Sequence, residues 1–333
     1  MTLHISEAEV RVLLTMPMAV DAVEGISRKQ AGGEVVVHPR RRFEFPGGNF
    51  FHYMAAADYT AGYLAMKQYT YVRGNLRFLV PLYEMATGEL LALIEADYMG
   101  QLRTGAASGV ATKYLARRDA RVAAIIGTGG QARTQLEAIA TVRKLDSVSA
   151  FGRDPQKREA FCREMSQRIG VSVRPASSAA EAVRGAHIVC TATTAVQPVV
   201  NGADLHSGVH INAIGANHAH KRELNDEAVA SADVIVVDSV EQSRQEAGDL
   251  IIAFHGDESC WTGVKRFPDV VAGKTSGRTS DTEVTLFKSN GIASWDLAVA
   301  MKVYKVAREK GFGRQLPLWS ESAANRSVLE PLD

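Results

Sequence analysis

One stretch constrains the fold of this chain more than any other. Residues 121–126 read Arg-Val-Ala-Ala-Ile-Ile and pass without a break into Gly127-Thr-Gly129-Gly130-Gln131-Ala132. Consecutive apolar positions suit a strand buried on both faces, as in a parallel sheet. The turn has the form G-x-G-x-x-G/A. Its first glycine permits a tight turn, its second lets the backbone approach a pyrophosphate, and Ala132 lets helix and strand pack closely. The helical stretch Gln131–Arg143 then offers unpaired N–H groups and a positive dipole end to phosphates. A plain strand-to-helix turn can carry the same letters. The motif gains weight from its place between a strand and a helix, at the head of several such units.

The apolar runs Val148–Phe151, Val171–Val173, Ile188–Thr193, His210–Ile214 and Val234–Asp238 follow. Helical stretches near Pro155–Arg168, Ser178–Arg184 and Glu223–Ser231 separate them, so the pattern predicts βαβ units and a parallel sheet. Before residue 118 the pattern differs. A helix is expected over Glu7–Lys29, ended by Gly32-Gly33. Strand-and-turn units follow, among them Arg42–Phe45, the Pro46-Gly47-Gly48 turn and Phe50–Met54, and predict a largely antiparallel sheet. Asp97–Leu115 and Trp295–Lys310 read as helices, the second leading the chain back to the first domain. A chain of 333 residues exceeds the roughly 250–300 that one core usually serves, so two domains are expected. Their division is placed at 1–117 with 305–333, and 118–304.

Charge narrows the function. Lys plus Arg number 38 and Asp plus Glu 37, without the basic excess of a duplex-binding protein, so no nucleic-acid partner is expected. The three cysteines, Cys162, Cys190 and Cys260, lie far apart in no metal-binding spacing, which fits a reducing compartment. No stretch approaches the ~20 apolar residues of a membrane span, and MTLHISEAEV lacks an apolar signal core. A cytoplasmic protein without membrane attachment is expected. His218 and His220 lack a third ligand nearby, so no metal is expected.

The residues after the second apolar run bear on the choice of dinucleotide. An acid at the end of that strand would hold the ribose hydroxyl of NAD, but Gly152 stands there, followed by Arg153. Arg153 is suited to the 2′-phosphate of NADP. Asp154 reads as the cap of the next helix. NADP(H) is favoured and NAD(H) is the alternative.

Four stretches together resemble the ornithine cyclodeaminase/mu-crystallin family: Leu102-Arg-Thr-Gly-Ala-Ala-Ser108; the Gly127–Ala132 turn; Gly208–Gly215 followed by Arg222-Glu-Leu-Asn-Asp226; and Thr285–Ile292. They spread over most of the chain. The resemblance implies an α/β fold, with a Rossmann dinucleotide-binding domain and a discontinuous α+β domain that binds substrate and forms a homodimer. It implies hydride exchange at the α-carbon of a small amino, imino or keto acid. It also implies site residues. Lys67 matches the family's active-site lysine; the plain alternative is a charge guarding an edge strand. Arg103 matches the carboxylate-binding arginine; the alternative is a surface charge at a helix start. Arg40, following Pro39, matches a second basic position, with simple alternation placing Arg40 and Arg42 on one face and Arg41 on the other. Asp226 matches a catalytic acid, although Asn225 occupies the place where many members carry Asp; the alternative is an acid at a helix N-terminus. Thr104, Ser108, Thr193, Gly215 and Asn217 are implied cofactor contacts, beside the glycines, Gln131 and Arg153.

His52 departs from the cyclodeaminase pattern, where a carboxylate is expected, and so favours a substrate without a distal amine. Three readings follow: a reductase of an α-imino or keto acid, a true ornithine cyclodeaminase, and a mu-crystallin-like binder of small ligands.

Overall fold

The computed structural model describes residues 2–318. The first half runs β1 (Thr2–Ile5), α1 (Glu7–Leu13), α2 (Met16–Ala31), β2 (Val35–Phe45), β3 (Asn49–Asp58), β4 (Tyr63–Val72), β5 (Asn75–Glu84), β6 (Leu90–Glu95) and α3 (Asp97–Leu115). Strands β2 to β6 form an antiparallel meander; β1 adds to it in parallel with β6. The second half begins with β7 (Val122–Ile126), α4 (Gly130–Val142), β8 (Ser147–Phe151), α5 (Pro155–Ile169), β9 (Val173–Pro175), α6 (Ala179–Val183) and β10 (Ile188–Thr191). It continues with β11 (His210–Ala213), α7 (Asp226–Ala230), β12 (Val234–Val237), α8 (Val240–Glu246), α9 (Gly248–Ala253), β13 (Lys265–Arg266), α10 (Phe267–Val271) and β14 (Thr285–Lys288). Helix α11 (Ala293–Lys310) and β15 (Arg314–Leu316) close the described chain, β15 pairing with β1.

The second sheet is parallel throughout, in the order β13-β12-β14-β11-β10-β7-β8-β9. Along β7, Ala123 and Ile125 enter one core and Ala124 and Ile126 the other. This two-sided burial is why the run is apolar at every position. The strand order reverses between β7 and β10, where an open α/β sheet leaves a crevice.

Local chemistry explains several departures from the sequence reading. The expected helix over Glu7–Lys29 is two helices, because Pro17 has no N–H and its ring would collide with the preceding turn; Thr15 becomes an N-cap. Alternation in the Arg40–Arg42 run is broken by a bulge between His38 and Arg41, where Pro39 cannot donate to the ladder. Arg103 is not at a helix start; it lies in the second turn of α3. Central strand β14 is four residues long and was legible only as part of a motif. The expected division at 304/305 falls inside α11, which packs on α2, α3, β3 and β4. Residues 319–333 of that division lie outside the described residues.

Helix α3 joins the halves. A side chain at Gly105 would strike the Thr134 carbonyl of α4, and one at Gly109 would press on Ala138, so the glycine at 105 permits the close crossing. One continuous core therefore runs from the first sheet through α2, α3 and α11 to the parallel sheet. That rigid contact fixes residues of the first sheet against the carboxyl ends of the parallel strands.

Candidate active site

Lys67 projects from β4 into this junction, where it meets Arg103 of α3 and Asp296 of α11. Asp296 Oδ1 accepts from Lys67 Nζ at 3.0 Å and from Arg103 Nε at 3.1 Å. Lys67 and Asp296 are only 3% and 1% exposed, so this is a buried ion group, outside the range of surface pairs. Lys67 Nζ sits 4.9 Å over the Phe78 ring. Burial, and then the neighbouring Arg103 charge, hold the Lys67 ammonium down to about 8.

Glycine makes the room. A Cβ at Gly100 would lie 2.9 Å from Lys67 Nζ. One at Gly291, whose φ is +84°, would lie 2.5 Å from Arg103 Nη1. Gly291 follows β14, and its loop is held by Asp238, which accepts the N–H groups of Asn290 at 2.7 Å and Gly291 at 2.6 Å. The same loop receives Arg40, displaced inward by the bulge. Arg40 Nη2 donates to the Asn290 carbonyl at 2.8 Å and Nη1 pairs with Glu246 at 2.6 Å. Lys67, Arg103 and Arg40 are three cations set among the carboxylates of Asp296, Glu246 and Asp238; the inner group of Lys67, Arg103 and Asp296 carries one positive charge in excess.

The sheet supplies a floor beside this group. Arg42, His52, Tyr69 and Phe78 pair in one row across β2 to β5. His52 Nδ1 shares a 2.5 Å hydrogen bond with the Tyr69 hydroxyl, and its ring stacks on Phe50. Burial, then the charges of Arg40 and Arg42, push the His52 pKa down to about 3, so the ring is neutral. Burial pushes Tyr69 up. Arg103 Nη1, Arg40 Nε, His52 Nε2 and Asp296 Oδ2 are buried without a partner among the described residues. These four, of fifteen such atoms among the described residues, belong to side chains of this one junction.

The carboxyl ends of the parallel strands face the same junction. Gly127 (after β7) has φ +112°, and a side chain there would collide with the Ala192 carbonyl. Gly129 caps α4 with open space where a Cβ would stand, and Gly129 and Gly130 are exposed. Ala132 is fully buried in the strand–helix contact and the Gln131 Oε1 is buried without a partner. This is an accessible cradle of backbone N–H groups, and it fits a dinucleotide pyrophosphate. Thr193 follows β10 and Gly215 follows β11. Both donate their N–H to buried Glu223, at 2.6 and 2.7 Å. Arg153 is exposed just beyond β8, and Asp154 caps α5 by accepting from the Lys157 N–H.

Other expected residues lie differently. Thr104 Oγ1 donates back to the Gly100 carbonyl. Ser108 is fully buried, with its Oγ unpartnered. Asn217 is exposed in the loop with His218 and His220, whose rings stack 5.6 Å apart. Asp226 begins α7, half-exposed, paired with Arg222 and with His255 at 3.1 Å; the Arg222 bond holds its carboxyl below the usual range. Its hydrogen bonds and ion pairs include none to Lys67, Arg103 or Asp296, and Asn225 is the N-cap of the helix it begins. Among the described residues no group of three or more His, Cys, Asp or Glu is placed to hold a metal, and no helix is long and apolar enough to cross a membrane.

Sequence reasoning missed Asp296, Glu246, Tyr69 and Glu223. Asp296 left a signal, as the single acid within the otherwise apolar run Ser294–Met301. Glu246 left none, since it follows directly on the polar residues Glu241–Gln245 and reads with them as an ordinary helix face.

Comparison with known proteins is consistent with this geometry. The family model described as the ornithine cyclodeaminase/mu-crystallin family matches residues 2–311. A Δ1-pyrroline-2-carboxylate reductase of Bacillus cereus is 38% identical over 239 residues, covering 72% of this chain and 73% of its own. The structure of Thermococcus litoralis Δ1-pyrroline-2-carboxylate reductase, in complex with NADH and L-proline, superposes with a TM-score of 0.90 at 35% identity. It covers 94% of this chain and 100% of its own. An archaeal alanine dehydrogenase dimer with bound NAD gives 0.89 at 34% identity, covering 96% of this chain and 99% of its own.

Proposed function

The chain belongs to the ornithine cyclodeaminase/mu-crystallin family, and from that membership we propose that it is an NAD(P)H-dependent reductase of a small α-imino acid. Run in reverse, it is an amino-acid dehydrogenase. The observation that carries this reading is the buried Lys67–Asp296–Arg103 group at the carboxyl edge of a dinucleotide-type sheet. Its excess positive charge suits one substrate carboxylate. The unpartnered Arg103 Nη1 and Arg40 Nε are the donors for that carboxylate. Lys67, with its ammonium near about 8, delivers a proton to the substrate nitrogen at neutral pH and takes it back in the oxidative direction. A bound nicotinamide dinucleotide supplies the hydride to the α-carbon. Tyr69, Phe78 and the neutral His52 form an uncharged wall that receives the substrate's side chain or ring. Asp226 is engaged by Arg222 and His255, so the proton is assigned to Lys67.

Gly127, Gly129, Gly130, Gln131 and Ala132 would hold the pyrophosphate, with Thr193 and Gly215 beside it. Exposed Arg153 supports NADP(H); the NADH and NAD of the solved relatives favour NAD(H) as the second reading. A homodimer is supported by the outer face of the first sheet, where Phe43 and Phe45 are 55% and 45% exposed and Phe43 stacks with Phe51 and Tyr53. A cytoplasmic location remains part of this proposal.

The test follows cofactor oxidation at 340 nm with NADPH and then NADH. The substrates are Δ1-pyrroline-2-carboxylate, a six-membered cyclic ketimine, and pyruvate with ammonia. Turnover of an imino acid supports the reading. Conversion of ornithine to proline and ammonia, without imine reduction, overturns it in favour of a cyclodeaminase. Ligand binding without any turnover would leave a mu-crystallin-like binder.

A further inference from the structure

Asp296 is the residue of this site that the reaction does not itself call for. A carboxylate beside a carboxylate-binding group weakens binding by charge alone, and the helix carrying it is otherwise apolar at that point. Its geometry gives it a purpose. One oxygen, Oδ1, accepts from both cations at nearly equal distance, while Oδ2 has no partner among the described residues. Both bonds meet on one atom of a helix packed against β4 and α3, the elements that carry Lys67 and Arg103.

We propose that Asp296 is the positioning residue of the site, holding the Lys67 ammonium and the Arg103 guanidinium on a single acceptor and keeping Lys67 protonated at neutral pH. The inference deepens the reductase reading and rests on it for the chemistry. Without Asp296 the two cations would face each other across a dry space with nothing between them. Lys67 would then shed its proton, the cheaper escape for a buried ammonium beside a guanidinium. With it, Lys67 keeps a proton to give. Asp296 leaves the Nη edge of Arg103 unengaged, since the bond is made at Nε.

The charged and titratable groups around Lys67 are Arg103 from α3, Asp296 from α11, Arg40 and Tyr69 from β2 and β4, Glu246 from α8 and Asp238 after β12. Among these, Asp296 is the anion bonded to Lys67, and Arg103 is the nearest competitor for that anion. Two substitutions must therefore act with opposite sign. Asp296→Asn removes the anion and leaves the repulsion. Arg103→Gln removes the repulsion and leaves the anion to Lys67 alone.

The test is a proton titration of Lys67 in the full-length protein, read by NMR of lysine labelled with carbon-13 at Cε and assigned by loss of the signal in Lys67→Met. It uses no substrate, so it stands apart from the success or failure of the reductase assay. The expected midpoint is about 8 in the wild type. It falls by about one pH unit or more in Asp296→Asn and rises in Arg103→Gln, one unit being a tenfold change in proton affinity. Asp296→Glu, which keeps the charge, holds the midpoint closer to wild type than Asp296→Asn. A midpoint unmoved in Asp296→Asn overturns the proposal, as does one that fails to rise in Arg103→Gln. The second variant decides alone if Asp296→Asn does not fold. With Δ1-pyrroline-2-carboxylate as probe substrate, kcat of Asp296→Asn at neutral pH falls more than KM rises, and the basic limb of its pH profile moves down with the midpoint.

Discussion

Gly100→Ala separates the stability of this fold from its proposed chemistry. Gly100 lies in the first turns of α3, where its N–H donates to the Ala96 carbonyl at 2.9 Å and the backbone has an ordinary helical conformation. Alanine there is locally favourable, by up to ~1 kcal/mol of helix propensity. Its methyl group, however, would stand 2.9 Å from Lys67 Nζ and 3.8 Å from Cε. An ordinary contact needs about half an ångström more, and Lys67 is the flexible partner, so the ammonium retreats. It then leaves the 3.0 Å bond to Asp296 and the place from which it serves the substrate nitrogen. Misplacing a reacting group by ~1 Å costs about 100-fold, so half of that displacement predicts a loss of roughly tenfold in kcat. Circular dichroism melting and steady-state reduction of Δ1-pyrroline-2-carboxylate on the same preparation measure both effects. Melting at or above wild type with a tenfold slower kcat is expected. Wild-type kcat in a protein that melts normally would refute the assignment of the proton to Lys67.

Four further outcomes are expected. Reduction slows about tenfold per pH unit above about pH 8, as Lys67 loses its proton. Its folded pKa lies below the unfolded value of 10.5, so the unfolded chain binds more protons between the two, and chemical denaturation should show stability rising with pH across that window. Arg153→Ala lowers the kcat/KM ratio of NADPH to NADH by about ten- to 100-fold if Arg153 meets the 2′-phosphate, the size of a charge-assisted bond; an unchanged ratio would exclude that role. Gly127→Ala forces a side chain into φ +112° and against the Ala192 carbonyl. A cost of about 1–3 kcal/mol in stability is expected, with dinucleotide affinity, measured by tryptophan fluorescence, lost alongside.

The fold was legible wherever chemistry is local. A strand apolar at every position, a glycine-rich turn and regular βαβ spacing imply a parallel sheet and a dinucleotide crevice without reference to the rest of the chain. Lys67 and Arg103 were pointed to by the family resemblance, and the structure brings them together on Asp296. What sequence left open depends on distant segments meeting. Asp296 is 229 residues from Lys67 and 193 from Arg103, and no periodicity connects them. Arg40 was singled out by the family resemblance alone, since simple alternation puts Arg40 and Arg42 on one face; the bulge at Pro39 breaks that alternation, and the Arg40 side chain is buried. Asp226 stands one residue after the place where many members carry the acid, and it pairs with Arg222 and with His255, a residue distant in sequence. Sequence by itself determined which residue types could bind a carboxylate and a dinucleotide. Tertiary structure decided which of them meet, because an ion group becomes strong where packing removes water, and that packing brings α11 from the far end of the chain against β4 and α3.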